Sequence, residues 1–228
     1  MLTIIIPTLN EEKYLPRAIE SIKKQNYECE IVIADAGSTD QTIPITKRYP
    51  CKIIRGGRQG RGRDKGAEIA SGDLLLFIDA DVILPEGFLE NCTCEILKRD
   101  LDIATCSAIP LSNRFSDRIL YFIANTAIIL FQKRMPFAQG FCIFIKKAIH
   151  DKIGGFDETI TFGEDSEYVG RAAKYGKFGV LKPNIFVSVR RFEKEGRFRL
   201  TLKYIYLNLL RMIKGEIRTP VNYDYGDF

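Results

Sequence analysis

Leu74-Leu75-Leu76-Phe77-Ile78-Asp79-Ala80-Asp81 sets five apolar residues directly against two carboxylates one residue apart. A short unbroken apolar run reads as a strand buried on both faces. The end of such a strand is where a parallel sheet opens its ligand crevice. Two acids at that position repel one another, and a divalent cation removes the repulsion. Oxygen ligands suit magnesium or manganese, which commonly bind through one or two carboxylates plus substrate phosphates. Asp79 and Asp81 are therefore candidate ligands for Mn2+ or Mg2+, and a diphosphate is what such a cation would hold.

The chain on either side supplies the rest of a parallel sheet. Thr3-Ile4-Ile5-Ile6, Ile31-Val32-Ile33-Ala34 and Lys52-Ile53-Ile54 are further strand candidates. Helical spacing marks 11–24, 40–49, 63–70 and 86–98 between them, and a strand is expected over 102–108. Alternating strands and helices imply βαβ units and a mainly parallel sheet flanked by helices. The second half is less regular. A long helix is expected over 116–133, a strand over 140–146, a helix over 164–174, strands over 177–181 and 185–189, and an amphipathic basic helix over 198–214.

Two more polar clusters fall at strand ends: Pro7-Thr8-Leu9-Asn10-Glu11 and Asp35-Ala36-Gly37-Ser38-Thr39-Asp40. Local reasons for them exist too, since Thr8 and Glu11 have capping-box spacing and Asp40 can cap a helix. Taken in order, Pro7-Thr8-x-Asn10-Glu11, Asp35-x-Gly37-Ser38-Thr39-Asp40 and Asp79-x-Asp81 resemble the family 2 glycosyltransferases. Gly163-Glu164-Asp165, with Arg171 six residues beyond, resembles that family's Glu-Asp catalytic motif, and Gly154-Gly155-Phe156-Asp157-Glu158 its Gly-Gly-Phe-Asp turn. The resemblance covers roughly residues 2–192.

It implies a GT-A type, Rossmann-like fold and an inverting transfer from a UDP- or GDP-linked sugar to an acceptor hydroxyl. Asp35 is then expected at the nucleotide base, and Thr8 and Glu11 at the base or ribose. Asp79 is expected at the ribose and donor sugar, and Asp81 on the metal. Pro7, Asn10 and Glu164 complete the implied nucleotide-sugar site, and Asp165 is the implied general base. The competing reading of Glu164 and Asp165 is that they serve the N-terminus of the following helix. Glu167 and Arg171 have plain salt-bridge spacing. Ser188-Val189-Arg190-Arg191-Phe192 resembles a segment of one branch of these enzymes, so Arg190 or Arg191 could grip the leaving diphosphate, or simply form a solvated basic turn.

Two positions depart from the family pattern. Ala36 stands where another Asp is common, and Arg63-Asp64 where an Arg-Asn pair is usual. Arg63 is expected to approach the nucleotide. The glycine- and arginine-rich run 55–63 reads as a basic loop before a helix, placed to touch phosphates. It lacks interleaved aromatics through residue 66, against a nucleic-acid role. Its glycines miss the dinucleotide fingerprint by one residue.

The bulk composition fits one globular catalytic domain over 1–192, its nucleotide half about 1–110 and its acceptor half about 111–192, with an extension over 193–228. Residues 182–218 carry ten Lys or Arg against three Glu, while the rest of the chain nearly balances. Six cysteines without a paired CxxC and a single His exclude a structural zinc site. With no secretory signal read at Met1, the thiols are expected reduced and mostly buried, in a cytoplasmic protein. His150 is expected at the surface. No run is apolar enough to span a membrane. The last helix presents Leu202, Ile205, Leu209, Met212 and Ile213 on one face. It either packs on the domain or lies peripherally on an anionic membrane, the latter suiting a lipid-linked acceptor; a polysaccharide is the other acceptor class left open. A sugar nucleotidyltransferase would favour a Gly-rich basic loop after the first strand, which is absent. A non-catalytic scaffold would be expected to have lost acids that this chain keeps.

Overall fold

The computed structural model describes residues 1–218. An eight-stranded sheet runs in the order β3-β2-β1-β4-β7-β6-β8-β5. Its first half is parallel: β1 (Leu2–Thr8) pairs with β2 (Cys29–Asp35) and with β4 (Leu74–Phe77), and β2 pairs with β3 (Lys52–Arg55). Ile4, Ile5 and Ile6 are all fully buried. Alternate side chains point to opposite faces, so Ile4 and Ile6 join one apolar core and Ile5 the other. Helices α1 (Leu15–Lys23), α2 (Thr42–Thr46), α3 (Gln59–Ile69) and α4 (Phe88–Arg99) connect or cover these strands.

The second half mixes directions. β7 (Ile143–Lys146) runs antiparallel to both β4 and β6 (Ile103–Pro110), while β8 (Phe178–Val187) is parallel to β6 and antiparallel to the short β5 (Val82–Ile83). The two strands expected at 177–181 and 185–189 are one strand. Its pairing jumps from Leu181 to Asn184, because Lys182-Pro183 bulges out where proline has no N–H for the ladder.

Three further departures have clear causes. The run 55–63 is mostly helix: α3 begins at Gln59, and its glycines serve packing. A Cβ on Gly66 would stand 2.4 Å from Ile5 Cγ2, and one on Gly62 would stand 3.3 Å from Pro7 Cβ. Close approach of α3 to β1 thus overrides glycine's low helix propensity. An unanticipated helix, α6 (Lys147–Ile153), follows β7 directly and turns His150 inward. His150 is buried, with Nδ1 2.7 Å from the Tyr168 hydroxyl, and burial pushes it down to about 4. It is a neutral core residue, not a surface one.

Helices α5 (Phe115–Phe131), α7 (Glu164–Ala172), α8 (Arg190–Glu195) and α9 (Arg197–Lys214) complete the described chain. All six cysteines are free thiols, three of them buried. No described helix is long and apolar enough to cross a membrane. The apolar face read for the last helix is not the one that packs: α9 buries Leu200 and Leu207 and leaves Leu202, Ile205, Leu209, Met212 and Ile213 at 49–81% exposure. The expected extension 193–228 runs past the described residues, which end at 218.

Candidate active site

β1 turns outward to β2 on one side and β4 on the other, so their carboxyl ends form a topological switch point. The acidic clusters meet there. Asp35, at the end of β2, accepts the backbone N–H groups of Gly37 and Ser38 at 2.9 and 2.8 Å and the Thr8 hydroxyl at 3.1 Å. Asn10 holds a left-handed conformation (φ 55°) and ties the two loops together. It accepts the Thr39 N–H at 2.9 Å and donates its own N–H to the Ser38 hydroxyl at 2.9 Å. Thr8 and Glu11 therefore form no capping box, whereas Asp40 accepts the N–H of Thr42, the first residue of α2, at 2.9 Å. A shallow cleft beside these loops is lined by Asp35, Gly37, Ile43, Ile53, Ile54 and Arg55. A larger surface groove between α1 and residues 83–86 contains none of the site acids.

Asp79 and Asp81 leave β4 in opposite company. Asp79 accepts from Arg63 at 3.0 Å, and Asp81 lies 2.8 Å from the guanidinium of Arg190. Arg190 also makes a two-pronged bond to Glu11, at 2.7 and 2.6 Å, and lies over the Tyr14 ring. The mutual repulsion expected of the two aspartates is thus relieved by two arginines. Burial still raises Asp81 to about 6, with Arg190 opposing and the charges of Asp79 and Glu11 adding to the rise. Arg191 contributes further positive potential at Asp81.

Arg63 is fully buried. From α3 it reaches Asp79, the Gly140 carbonyl at 3.1 Å and the Glu164 carboxylate at 3.5 Å. Its guanidinium sits 5.4 Å above the Phe156 ring, which stacks on Tyr168 at 3.8 Å. Two left-handed glycines, Gly154 and Gly155, close α6 and aim Phe156 at that position. Asp64 fixes the turn by accepting the Phe156 N–H at 2.9 Å. The family's Asn position is thus a structural anchor in this chain. Burial raises Asp64 to about 7, and its His150 neighbour is neutral, so the 3.8 Å approach between them is not an ion pair.

Asp165 opens α7 beside Gly140, where an added Cβ would stand 2.5 Å from Arg63 and 3.3 Å from the Asp165 carboxylate. Burial first, and then the adjacent Glu164, push Asp165 up to about 7, while Arg63 pulls the other way. Asp165 bonds the N–H of Ser166 at 2.8 Å, so feeding the helix N-terminus and facing the site coexist. Arg171 pairs with Glu167 at 2.7 Å and also donates to the Gly155 carbonyl at 2.8 Å. It is a brace for the glycine turn. The reach of Arg63 across to residues 140 and 164, and of Arg190 back to Glu11, has no local sequence signal.

The sequence pattern described as Glycosyl transferase family 2 matches residues 3–154, which include the three strand-end clusters. The chain belongs to this family. The poly(ribitol-phosphate) beta-N-acetylglucosaminyltransferase TarS of Staphylococcus aureus (strain Mu50 / ATCC 700699) is 30% identical over 94% of the chain. The chain spans 40% of the length of that relative. The crystal structure of S. aureus TarS with UDP-GlcNAc superposes with a TM-score of 0.67 at 22% identity, over 82% of this chain and 58% of that one. The mannosyltransferase PcManGT of Pyrobaculum calidifontis, solved with GDP-Man and Mn2+, gives 0.68 at 19% identity, over 90% and 64%. The family 2 fold is therefore GT-A in this chain, with a mixed, curled sheet between helices.

Proposed function

We propose that this chain transfers a sugar from a UDP- or GDP-linked donor to an acceptor hydroxyl, inverting the anomeric carbon. One observation carries the reading: Arg63, bonded to Asp79 and to the Gly140 carbonyl, shares its charge with Asp165, which is raised to about 7 and lies beside Gly140. A base with a pKa near the working pH has the best compromise between being ionised and accepting a proton. Related folds hold UDP-GlcNAc, or GDP-Man with Mn2+, which supports the donor class.

In this reading the nucleobase enters the cleft between Asp35 and Ile53–Arg55. Asp79 faces the ribose and donor sugar, with Thr8, Asn10 and Glu11 shaping the wall. Asp165 takes the proton of the acceptor hydroxyl as its oxygen bonds to the anomeric carbon. The bond from that carbon to the diphosphate breaks, and its electron pair leaves on the phosphate oxygen. Arg190 and Arg191 stand beside Asp81 and offset the charge released there. The donor set fits a hard cation: Asp81 and Asp79 offer carboxylate oxygens only, and the charges of Asp79 and Glu11 make the Asp81 carboxylate harder to ionise without a counter-charge. Mn2+ or Mg2+ bound there would supply neutralisation of the diphosphate leaving group. We propose a lipid-linked or polysaccharide acceptor.

Asp165→Asn tests the base directly. Donor binding should persist, read as thermal stabilisation by UDP- and GDP-sugars with manganese, while transfer falls by about 10²–10⁴-fold. Wild-type kcat/KM should rise as pH increases through about 7, because the protonated carboxyl cannot accept the hydroxyl proton. Normal transfer by the variant ends the assignment.

A further inference from the structure

Helix α5 buries only Asp117 and Ile128 along its whole length, and α9 buries only Leu200 and Leu207. Their outer faces carry large apolar side chains: Phe122, Leu130 and Phe131 on α5, and Leu202, Met212 and Ile213 on α9, each about half exposed or more. Exposed apolar faces of this size on two helices joined at their N-terminal ends mark an interaction site. Among the described residues, the exposed charges carried by the two helices have one sign. Arg118 on α5 and Lys133 and Arg134 just beyond it are exposed, as are Arg199 and Lys214 of α9. Asp117 is the only acid within either helix, and it is buried against Arg197 at 2.6 Å, tying the two N-terminal ends together. The acids flanking α9 are engaged nearby: Glu193 with Arg197 at 3.9 Å, Glu195 with Lys203 at 3.2 Å, and Glu216 with Arg211 at 2.9 Å.

We infer that the α5 and α9 faces form a docking surface for an anionic lipid bilayer. Apolar side chains interleaved with unopposed Lys and Arg match the chemistry of that interface, where the former enter the acyl boundary and the latter meet lipid phosphates. A second copy of this chain fits poorly, because a two-fold contact would set each basic face against its own kind. Neither helix can cross the membrane, so the contact is peripheral. The surface is also continuous with the site. The inner side of α9 packs Leu207 with Phe162 and Ile217, and the Ile217 carbonyl accepts the Thr161 N–H at 2.9 Å. Arg211 lies against Gly163, immediately before Glu164 and Asp165. A bilayer on the outer side of α9 thus lies one helix away from the proposed base, which selects an acceptor carried on a lipid. That last step rests on the transferase reading, whereas bilayer binding does not.

The test is co-sedimentation of the full chain with phosphatidylglycerol or phosphatidylcholine vesicles, without nucleotide. Wild-type protein should bind the first, weaken with added salt, and bind the second far less. Each basic residue near such a surface is worth about fivefold in affinity, so Arg118→Glu/Arg199→Glu/Lys214→Glu should lose about a hundredfold or more. Phe122→Ser/Ile213→Ser, which removes exposed apolar groups outside the core, should lose at least about tenfold. Thermal stabilisation of both variants by donor sugar and manganese should match wild type; failure of that stabilisation in every form, wild type included, would count against the transferase reading alone. Equal binding to both lipids, no binding at all, or full binding by the charge variant would overturn the bilayer assignment. So would a wild-type dimer in light scattering that the same substitutions turn into monomer.

Discussion

Arg63→Met removes the charge while keeping most of the stem, including the part that lies over Phe156. Three acids then lose their shared counter-charge: Asp79 at 3.0 Å, Glu164 at 3.5 Å, and Asp165, whose pKa Arg63 holds down. Removing one partner of a buried pair costs about 3–5 kcal/mol. Asp79 keeps some contact with water, at 29% side-chain exposure, so the lower end, about 3 kcal/mol, is expected. For a chain of this size that lowers Tm by about 6–12 °C. The effect should depend on pH with a definite sign. Asp165 has a folded pKa raised above its ordinary value, so its contribution favours the fold at low pH and is lost as pH rises through about 7. Without Arg63 the carboxylate is harder still to ionise, so the deficit should be largest above pH 7 and shrink as Asp165 takes up its proton. Urea unfolding of both proteins across that range measures it. A deficit below about 1 kcal/mol, or one that does not vary with pH, would show that Arg63 is not the hub of these charges.

Asp81→Ala should abolish thermal stabilisation by nucleotide sugar that depends on manganese, while leaving the fold intact; unchanged stabilisation would remove Asp81 from the metal site. Asp64→Asn keeps an oxygen for the Phe156 N–H and deletes a carboxylate that burial holds at about 7. Because the unfolded group ionises near 3.8 and the folded one only near 7, the variant should gain more stability above pH 7 than near pH 5, by chemical denaturation; a loss at both would contradict the anchor role. Arg190→Gln should tighten manganese binding by the nucleotide-free protein and weaken UDP or GDP binding. Calorimetry that shows both unchanged would detach Arg190 from Asp81 in function.

The parallel half of the sheet is legible because its strands are unbroken apolar runs that two faces bury, as in Ile4–Ile6 and Leu74–Ile78. The acids are legible because they stand where those runs end. What escapes the sequence is non-local. The glycines of 56–62 look like a loop until the approach of Pro7 to Gly62 is known. α6 is a seven-residue helix fused to a strand, too short for its period to declare itself, so His150 looks exposed. β8 looks like two strands because Lys182-Pro183 interrupts a pattern that the sheet simply bulges around. The contacts that assemble the site span 77 positions from Arg63 to Gly140 and 179 from Arg190 to Glu11, and no window of sequence contains them.

Those two arginines differ in one respect that shapes the site's chemistry. Arg63 has a side chain only 1% exposed, a carbonyl and two carboxylates within reach, and an aromatic ring beneath it. Moving it would open the core, so its charge is a fixed part of the site, set where it keeps Asp165 from being held neutral at working pH. Arg190 stands on α8, a helix with no buried residue, and its side chain is 14% exposed. Its bonds to Glu11 and Asp81 are thus held from a short surface helix and not from the core. In the proposed reading, a cation held by Asp81 would supply the neutralisation that Arg190 provides there, and the guanidinium would then be available to a diphosphate in the same crevice. In that reading the static arginine tunes the proposed base, and the one on the surface helix would meet the leaving group. This division follows from which helix carries each.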